Sequence, residues 1–175
     1  QATADLLRQS DIRVVQGNCD ENLGSRVDSC GCGFGDGSSC DTLSRQWYAY
    51  VDAHLDEDAR AWMRGLPAAV TFELMGQRFR VIHGGVDRVN RFIYASTPAD
   101  EKRKELMAGG CDAIIAGHCG LPFTQKIDGR LWHNAGAIGM PANDGTPRTW
   151  FSILTPQARG ILVEHRALDY DFTAA

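Results

Sequence analysis

Hydrophobic residues recur at helical spacing in several stretches of the chain, and residues that favour helix starts precede some of these stretches. Asp41 and Asp56 are suitable N-caps, and Trp47 and Tyr50 fall on one apolar face of the helix that Asp41 begins. The pattern predicts helices over residues 2–9, 41–55, 56–65 and 98–107.

Short apolar runs bounded by Gly, Asp and Asn predict the strands. They cover residues 12–15, 70–74, 78–82, 113–116, 123–127, 130–134, 150–155 and 161–165. The Met75-Gly76-Gln77 and Asp128-Gly129 sequences are typical of hairpin turns. Helices interposed among strands predict a layered α/β domain with a mixed sheet. We expect one domain over residues 1–175, with a Cys-rich loop insertion at 23–40.

Composition narrows the class of protein. The chain has 43% hydrophobic and 23% charged residues, which is typical of a globular domain. A formal net charge of -4 gives no basic surface, so we expect no nucleic-acid partner. No apolar run approaches the roughly 20 residues that span a bilayer, and no signal segment opens the chain, so we expect no membrane association. The cysteines are then interpreted as reduced thiols or metal ligands in a reducing cytoplasm.

Three predicted strands each lead into a glycine paired with a potential metal ligand. The pairs are Gly17-Asn18, His83-Gly84 and Gly117-His118. Loops at the carboxyl ends of strands converge in layered α/β folds, so we expect these ligands to lie together. One amide oxygen and two imidazoles suit Mn, Zn, Fe, Ni or Co better than Ca or Mg.

The segments around these pairs resemble the sequence blocks of the calcineurin-like metallophosphoesterases. VVQGNCD (14–20) resembles the Gly-Asn-His-Asp/Glu block, and VIHGG (81–85) resembles the single-histidine block. IIAGHCG (114–120) is similar to the Gly-His-x-His block, and WHNAGAIGMP (132–141) to the stretch that follows it. GNCD in place of GNHD resembles the small bacterial and archaeal phosphodiesterase branch.

That resemblance implies a four-layer αββα sandwich of mixed sheets that holds two metals about 3–4 Å apart. It implies that Asn18, His83 and His118 bind one divalent transition metal. Asp20 then acts as a hydrogen-bond acceptor that orients its neighbours. Cys19 stands where many relatives carry the histidine that protonates the leaving group, although burial as a small residue is an equal alternative. The implied reaction is hydrolysis of a small phosphoester by a metal-bound hydroxide.

The chain departs from the family pattern in two ways. No Asp-x-His or Gly-Asp block precedes Asn18, so we expect the first strands of the fold to be missing here. An N-terminal segment, a second chain or a homo-oligomer would then complete the fold. Gly120 replaces the second histidine of the Gly-His-x-His block, which predicts a degenerate first metal site. Cys119, Cys19 and His133 are the candidate replacements.

Cys30, Cys32 and Cys40 fall within a Gly- and Ser-rich segment whose length favours a functional loop. Their spacing does not match a structural zinc site. The alternatives are a second metal or metalloid bound by these cysteines, with Cys19 as a fourth ligand, free thiols, or a Cys30–Cys40 or Cys32–Cys40 disulfide.

These observations favour a metal-dependent phosphoesterase. The alternative is a non-catalytic or repurposed phosphoesterase-fold protein that binds a phosphate-bearing or thiol-reactive ligand, which the Gly120 departure and the Cys loop favour. A third hypothesis is a thiol redox or metalloid-handling protein that uses Cys19, Cys30, Cys32, Cys40 and Cys119.

Overall fold

The computed structural model describes residues 1–142 and 144–173, and the chain divides into two compact units, 1–70 and 71–175. The helices are α1 (Ala2–Arg8), α2 (Asn18–Gly24), α3 (Ser39–His54), α4 (Glu57–Gly65) and α5 (Ala99–Gly109). The strands are β1 (Ala69–Leu74), β2 (Gln77–Ile82), β3 (Ala113–Ala116), β4 (Phe123–Ile127), β5 (Arg130–Asn134), β6 (Trp150–Gln157) and β7 (Gly160–Ala167). The mixed α/β class is confirmed, while the single-domain boundary stays a prediction. Among the described residues, no helix has the length and apolar character needed to cross a membrane.

Helices α1 to α4 lie in the first unit, and α3 and α4 each begin after a residue whose side chain caps the helix. Asp56 accepts a hydrogen bond from Ala59 N at 2.8 Å and begins α4, as predicted. The predicted cap of α3 is wrong by one turn, because Ser38 accepts from Asp41 N at 3.1 Å and takes that position. Asp41 instead lies inside the first turn, where its carboxylate accepts from Gly37 N.

Helix α2 is held from its C-terminal end by two arginines of α4. The guanidinium of Arg60, which is buried, donates to the Leu23 carbonyl at 2.7 Å. Arg64 donates to the Gly24 carbonyl at 2.6 Å. These carbonyls have no partner inside the helix, so the arginines satisfy them and fix α2 against α4.

The predicted apolar face of α3 is exposed at Trp47 and Tyr50, whereas Val51 on the same helix is half-buried and packs against the core. Tyr48 is buried in that core, and its hydroxyl donates to the Val27 carbonyl at 2.7 Å. Trp47 and Tyr50 remain 51% and 65% exposed, because the helix rests on the adjacent face. The core of this unit consists of Ala4, Leu23, Cys30, Tyr48, Ala59 and Met63.

Two further expectations for the first unit are wrong. Residues 12–15 form no strand, and Ile12 is 65% exposed. After this segment, Gln16 N donates to the Pro67 carbonyl at 2.8 Å. Proline has no N–H to donate in return, so a strand ladder does not continue there. The predicted loop at 23–40 is shorter, because α2 extends through Gly24 and α3 begins at Ser39.

A five-stranded sheet of order β1-β2-β3-β5-β4 forms the centre of the second unit. Strands β2, β3 and β5 run parallel, while β4 pairs antiparallel with β5. Both predicted hairpin turns are confirmed, since Asp128 and Gly129 have φ values of 50° and 80° and Met75 and Gly76 have 53° and 72°. Buried apolar side chains of this unit include Phe79, Ile82, Ile93, Leu106, Ala113, Ile114 and Trp132.

Strands β6 and β7 pair into a separate antiparallel sheet of the same unit. His133 of β5 links the two sheets, since its Nε2 atom lies 2.8 Å from the Ser152 hydroxyl on β6. His165 of β7 adds a second link, with its Nε2 atom 3.0 Å from the carbonyl oxygen of Asn134.

Candidate metal centre

His83 and His118 lie immediately beyond two neighbouring parallel strands. Strand β2 ends at Ile82 and β3 at Ala116, and Val81 pairs with Ile115 in the ladder between them. This register brings the carboxyl ends of the strands to the same edge of the sheet. Both histidines therefore follow strand ends, as the sequence predicted, while their role as metal ligands stays a prediction.

The two imidazoles face each other through ring nitrogens. His83 Nε2 lies 2.9 Å from His118 Nδ1, and the ring planes are inclined by 61°. Two nitrogens that each bind one metal at roughly 2.0–2.1 Å are separated by about this distance when they occupy adjacent coordination positions. The pair therefore fits a shared transition metal, for which imidazole is a preferred ligand.

Burial keeps His83 in the form that binds metals. Desolvation, and then the nearby charge of His118, lower the pKa of His83 from 6.5 to about 4. A metal ligand must be the neutral imidazole. His83 meets that requirement at neutral pH.

The loop after β2 is held close to its neighbours by glycine and by main-chain bonds. Gly117 N and His118 N both donate to the His83 carbonyl, at 2.9 and 2.8 Å. A Cβ on Gly84 would lie 2.3 Å from the Val89 carbonyl oxygen. Only glycine allows this approach, so Gly84 contributes to the position of His83.

Phe92 is a neighbour of the site that sequence reasoning missed. Its ring lies 4.3 Å from the His118 ring at an inclination of 40°. The adjacent Arg91 anchors this segment to α5 through ion pairs with Glu101 at 2.7 Å and Glu105 at 2.5 Å. No local motif marks Phe92, because the long loop after β2 brings it to His118.

Asn18, the third predicted ligand, belongs to the first unit and stands at the start of α2 rather than at a strand end. Gly17 is the N-cap, and Asp20 accepts a hydrogen bond from Gly17 N at 2.8 Å. This is the return bond of a capping box, which fixes the turn that carries Asn18. Asp20 thus holds the turn before Asn18, and its role at a metal site stays a prediction. Burial raises the pKa of its carboxyl despite the hydrogen bond from Gly17.

The amide nitrogen of Asn18 is directed towards the Cys segment, which is the Cys-rich stretch at residues 23–40. Asn18 is 3% exposed, and its Nδ2 atom donates to the Cys30 carbonyl at 2.7 Å. Nδ2 also lies 3.4 Å from Cys32 Sγ and 3.6 Å from Cys19 Sγ. With Nδ2 oriented in this way, the amide plane is defined, which sets the direction of Oδ1, the atom that binds metals.

Cys19 is a protonated thiol at neutral pH. Burial, and then the charge of Asp20, raise its pKa to about 11. A thiol with this pKa is a weak acid and forms little thiolate. Its role as the leaving-group acid stays a prediction.

Gly120, which replaces the family's second histidine, adopts a left-handed backbone with φ +71°. No atom lies within 4 Å of a Cβ built there, so the space for a side chain exists. The left-handed conformation costs an ordinary L-residue roughly 1–2 kcal/mol. The backbone conformation at this position therefore favours glycine over a residue with a side chain.

The candidate replacements for that histidine in this unit have other partners. His133 is fully buried, and its two ring nitrogens lie 2.8 Å from the hydroxyls of Thr124 and Ser152. Burial and then the charge of His165 lower the pKa of His133 to about 4. Cys119 Sγ accepts from Asn134 Nδ2 at 3.2 Å. Both ring nitrogens of His133 are thus engaged by hydroxyls, and the contact with Ser152 joins the two sheets.

The Cys segment differs from each predicted pairing. Cys30 is bonded to Cys32, whereas the predicted disulfides paired one of them with Cys40, which is a free thiol. The bonded form does not supply Cys30 and Cys32 as thiolate ligands for a second metal. Within residues 1–142 and 144–173, no group of three or more His, Cys, Asp or Glu side chains is arranged to hold a metal ion.

Comparison with known families agrees with the sequence blocks. The sequence matches the calcineurin-like phosphoesterase superfamily domain over residues 1–158. The chain belongs to that superfamily. No curated protein matches the sequence significantly.

Solved structures of this superfamily's fold are similar over nearly the whole chain. A hypothetical protein from Pyrococcus horikoshii OT3 superposes with a TM-score of 0.73 at 17% identity, over 99% of this chain and 69% of that chain. A metallophosphoesterase from Sphaerobacter thermophilus superposes with a TM-score of 0.70 at 18% identity, over 99% of this chain and 73% of that chain. At these identities the similarity establishes the shared fold.

Proposed function

We propose that this calcineurin-like protein is a metal-dependent phosphoesterase. In the second unit His83 and His118 hold one divalent transition metal, and for Asn18 of the first unit we keep the metal-ligand role that the family resemblance implies. The observation that carries the proposal is the 2.9 Å approach of His83 Nε2 to His118 Nδ1 at the ends of adjacent parallel strands. Mn, Zn, Fe and Ni are the metals expected for imidazole ligands of this kind. The substrate class is a small phosphodiester or phosphomonoester.

Each residue of the proposed site has a defined task. A divalent metal bound there supplies a lower pKa for bound water and neutralises charge on phosphoryl oxygens. His83 is available as a neutral ligand because its pKa is lowered to about 4. His118 is oriented by its main-chain bond to the His83 carbonyl, and Asp20 fixes the turn that carries Asn18.

A non-catalytic, ligand-binding role is the second candidate, and a specific feature favours it. Gly120 supplies no side chain where the family has a second histidine, and its backbone conformation disfavours one. A single metal would then bind a phosphate-bearing ligand without the second metal that activates water in two-metal sites.

Hydrolysis of a chromogenic phosphodiester with added Mn²⁺ separates the two candidates. For an enzyme we expect His118→Ala to lower activity by at least about 100-fold, because loss of partners that merely orient ligands already costs roughly 10–100-fold in metal affinity. His54→Ala, which removes an exposed histidine of α3, is the matched control and should retain activity. Phosphate binding without turnover in the wild type would favour the second candidate.

A further inference from the structure

Three sulfur atoms lie together in the first unit. Cys30 and Cys32 form a disulfide, and Cys19 Sγ lies 3.9 Å from Cys32 Sγ. Cys30 is buried, whereas Cys32 is half-buried. A small thiol that approaches from solvent therefore reaches the Cys32 end of the bond first.

The main chain holds the disulfide at the start of an exposed segment. Gly31 separates the two cysteines and has φ +62°, a left-handed conformation that favours glycine. Asn22 of α2 donates to the Ser29 carbonyl at 2.8 Å and so anchors the entry to this turn. Gly33 and residues 35–39 beyond it are exposed. Accessible disulfides are the ones that take part in exchange rather than serving only as static cross-links.

We propose that Cys30 and Cys32 form a reversible thiol–disulfide exchange site whose reaction partners are small thiols and dithiols. A thiolate attacks Cys32 Sγ, the bond between Cys30 and Cys32 breaks, and Cys30 leaves as a thiolate that takes up a proton. A second thiol attacks the mixed disulfide, Cys32 leaves and is protonated, and the oxidised partner is released. Two electrons and two protons thus pass from the two small thiols to Cys30 and Cys32, which end as free thiols.

The state of this pair sets the orientation of Asn18. In the bonded form the Cys30 carbonyl accepts from Asn18 Nδ2 at 2.7 Å, and Cys32 Sγ lies 3.4 Å from the same nitrogen. Reduction removes the covalent constraint across Gly31, so the Cys30 carbonyl and the Cys32 sulfur no longer hold the amide in one position. This consequence rests on the proposed role of Asn18 as a metal ligand, whereas the exchange chemistry does not.

Intact mass and peptide mapping test the exchange site directly. Treatment of the oxidised protein with a phosphine reductant should raise the mass by about 2 Da, and oxidised glutathione should reverse the change. Cys40→Ser should keep this cycle, and the double variant Cys30→Ser, Cys32→Ser should lose it. Full alkylation of all thiols after the oxidant, or a disulfide mapped to another pair, would overturn the proposal.

Mn²⁺ binding and NMR test the link to Asn18. Mn²⁺ is the probe because thiolates are poor ligands for it, so the released cysteines do not compete. We expect reduction to weaken Mn²⁺ binding on the order of 10-fold, as loss of outer partners does at other metal sites. The double serine variant should bind Mn²⁺ like the reduced protein, and the Asn18 side-chain amide resonance should move on reduction without metal.

The two readouts distinguish failure of the redox link from failure of the proposed function. An unchanged Mn²⁺ affinity together with an unmoved Asn18 resonance would overturn the link. Absence of Mn²⁺ binding in both redox forms, with the mass cycle and the resonance shift intact, would refute the metal site and support the exchange site.

Discussion

The Nε2 atom of His83 and the Nδ1 atom of His118 share one hydrogen bond of 2.9 Å beyond the ends of adjacent parallel strands. Such a bond needs one ring to donate and the other to accept, so it requires a neutral acceptor imidazole. The lowered pKa of His83 favours that state. The arrangement depends on the close path of the loop between β2 and α5.

Gly84→Ala should disrupt this arrangement. The new Cβ would lie 2.3 Å from the Val89 carbonyl oxygen, so the loop must move, at a cost of about 2 kcal/mol or more. We expect lower stability in urea unfolding and weaker Mn²⁺ binding. Gly65→Ala is the control, because no atom lies within 4 Å of its Cβ, and it should leave Mn²⁺ binding intact. Equal Mn²⁺ affinity in both variants would show that the position of His83 does not depend on Gly84.

Asp20→Ala should destabilise the first unit by about 1 kcal/mol, because the Gly17 N–H loses its acceptor at the start of α2. Asp20→Asn keeps an acceptor oxygen, and the raised pKa of Asp20 shows a site that tolerates a neutral side chain. We therefore expect Asn to restore most of the lost stability in chemical denaturation. A result in which Asn is as damaging as Ala would assign the effect to charge instead.

Gly120→His restores the histidine that the family has at this position and so tests whether its loss weakens metal binding. Without metal, Gly120→His and Gly120→Ala should each lose about 1 kcal/mol, because both require a left-handed L-residue. With Mn²⁺ added, both variants should gain stability through the proposed metal site, and the histidine variant should gain more, since its imidazole stands at the family's ligand position. Thermal unfolding with and without Mn²⁺ measures this difference. Identical responses of the two variants would place Gly120 away from the metal.

The pH dependence of stability should depend on His133. Its folded-state pKa of about 4 lies below the ordinary value of 6.5, so the unfolded chain binds the proton more readily. The free energy of unfolding should therefore fall as pH drops from about 6.5 to about 4, by an amount of the order of 3 kcal/mol for this residue. His133→Gln should show a shallower fall over that interval. Parallel unfolding curves for both proteins would contradict this assignment.

The sequence predicted most elements of the second unit correctly. Strand β3 and the turn at Asp128-Gly129 were recognisable because an unbroken apolar run and a turn dipeptide act locally. The same local reasoning failed at residues 12–15, whose apolar pattern resembles a strand. Their neighbour there is Pro67, and proline cannot donate to a ladder.

The identities of the candidate ligands were also determined by the sequence. Asn18, His83 and His118 each stand beside a glycine in blocks that resemble one family, and the superfamily match over residues 1–158 confirms that resemblance. Spacing along the chain does not fix distance, however. Only the parallel pairing of β2 with β3 brought the two histidines, which are separated by 35 positions, to 2.9 Å.

The partners around the candidate ligands Asn18 and His118 are visible only in the folded structure. Phe92 beside His118, the Cys30 carbonyl beside Asn18, and the pairing of Cys30 with Cys32 have no signature in the sequence. These contacts arise where loops fold back on their own unit, and their paths depend on packing rather than on local preference. The sequence specifies which residue types are present, whereas the distances between their side chains are set only when the chain folds.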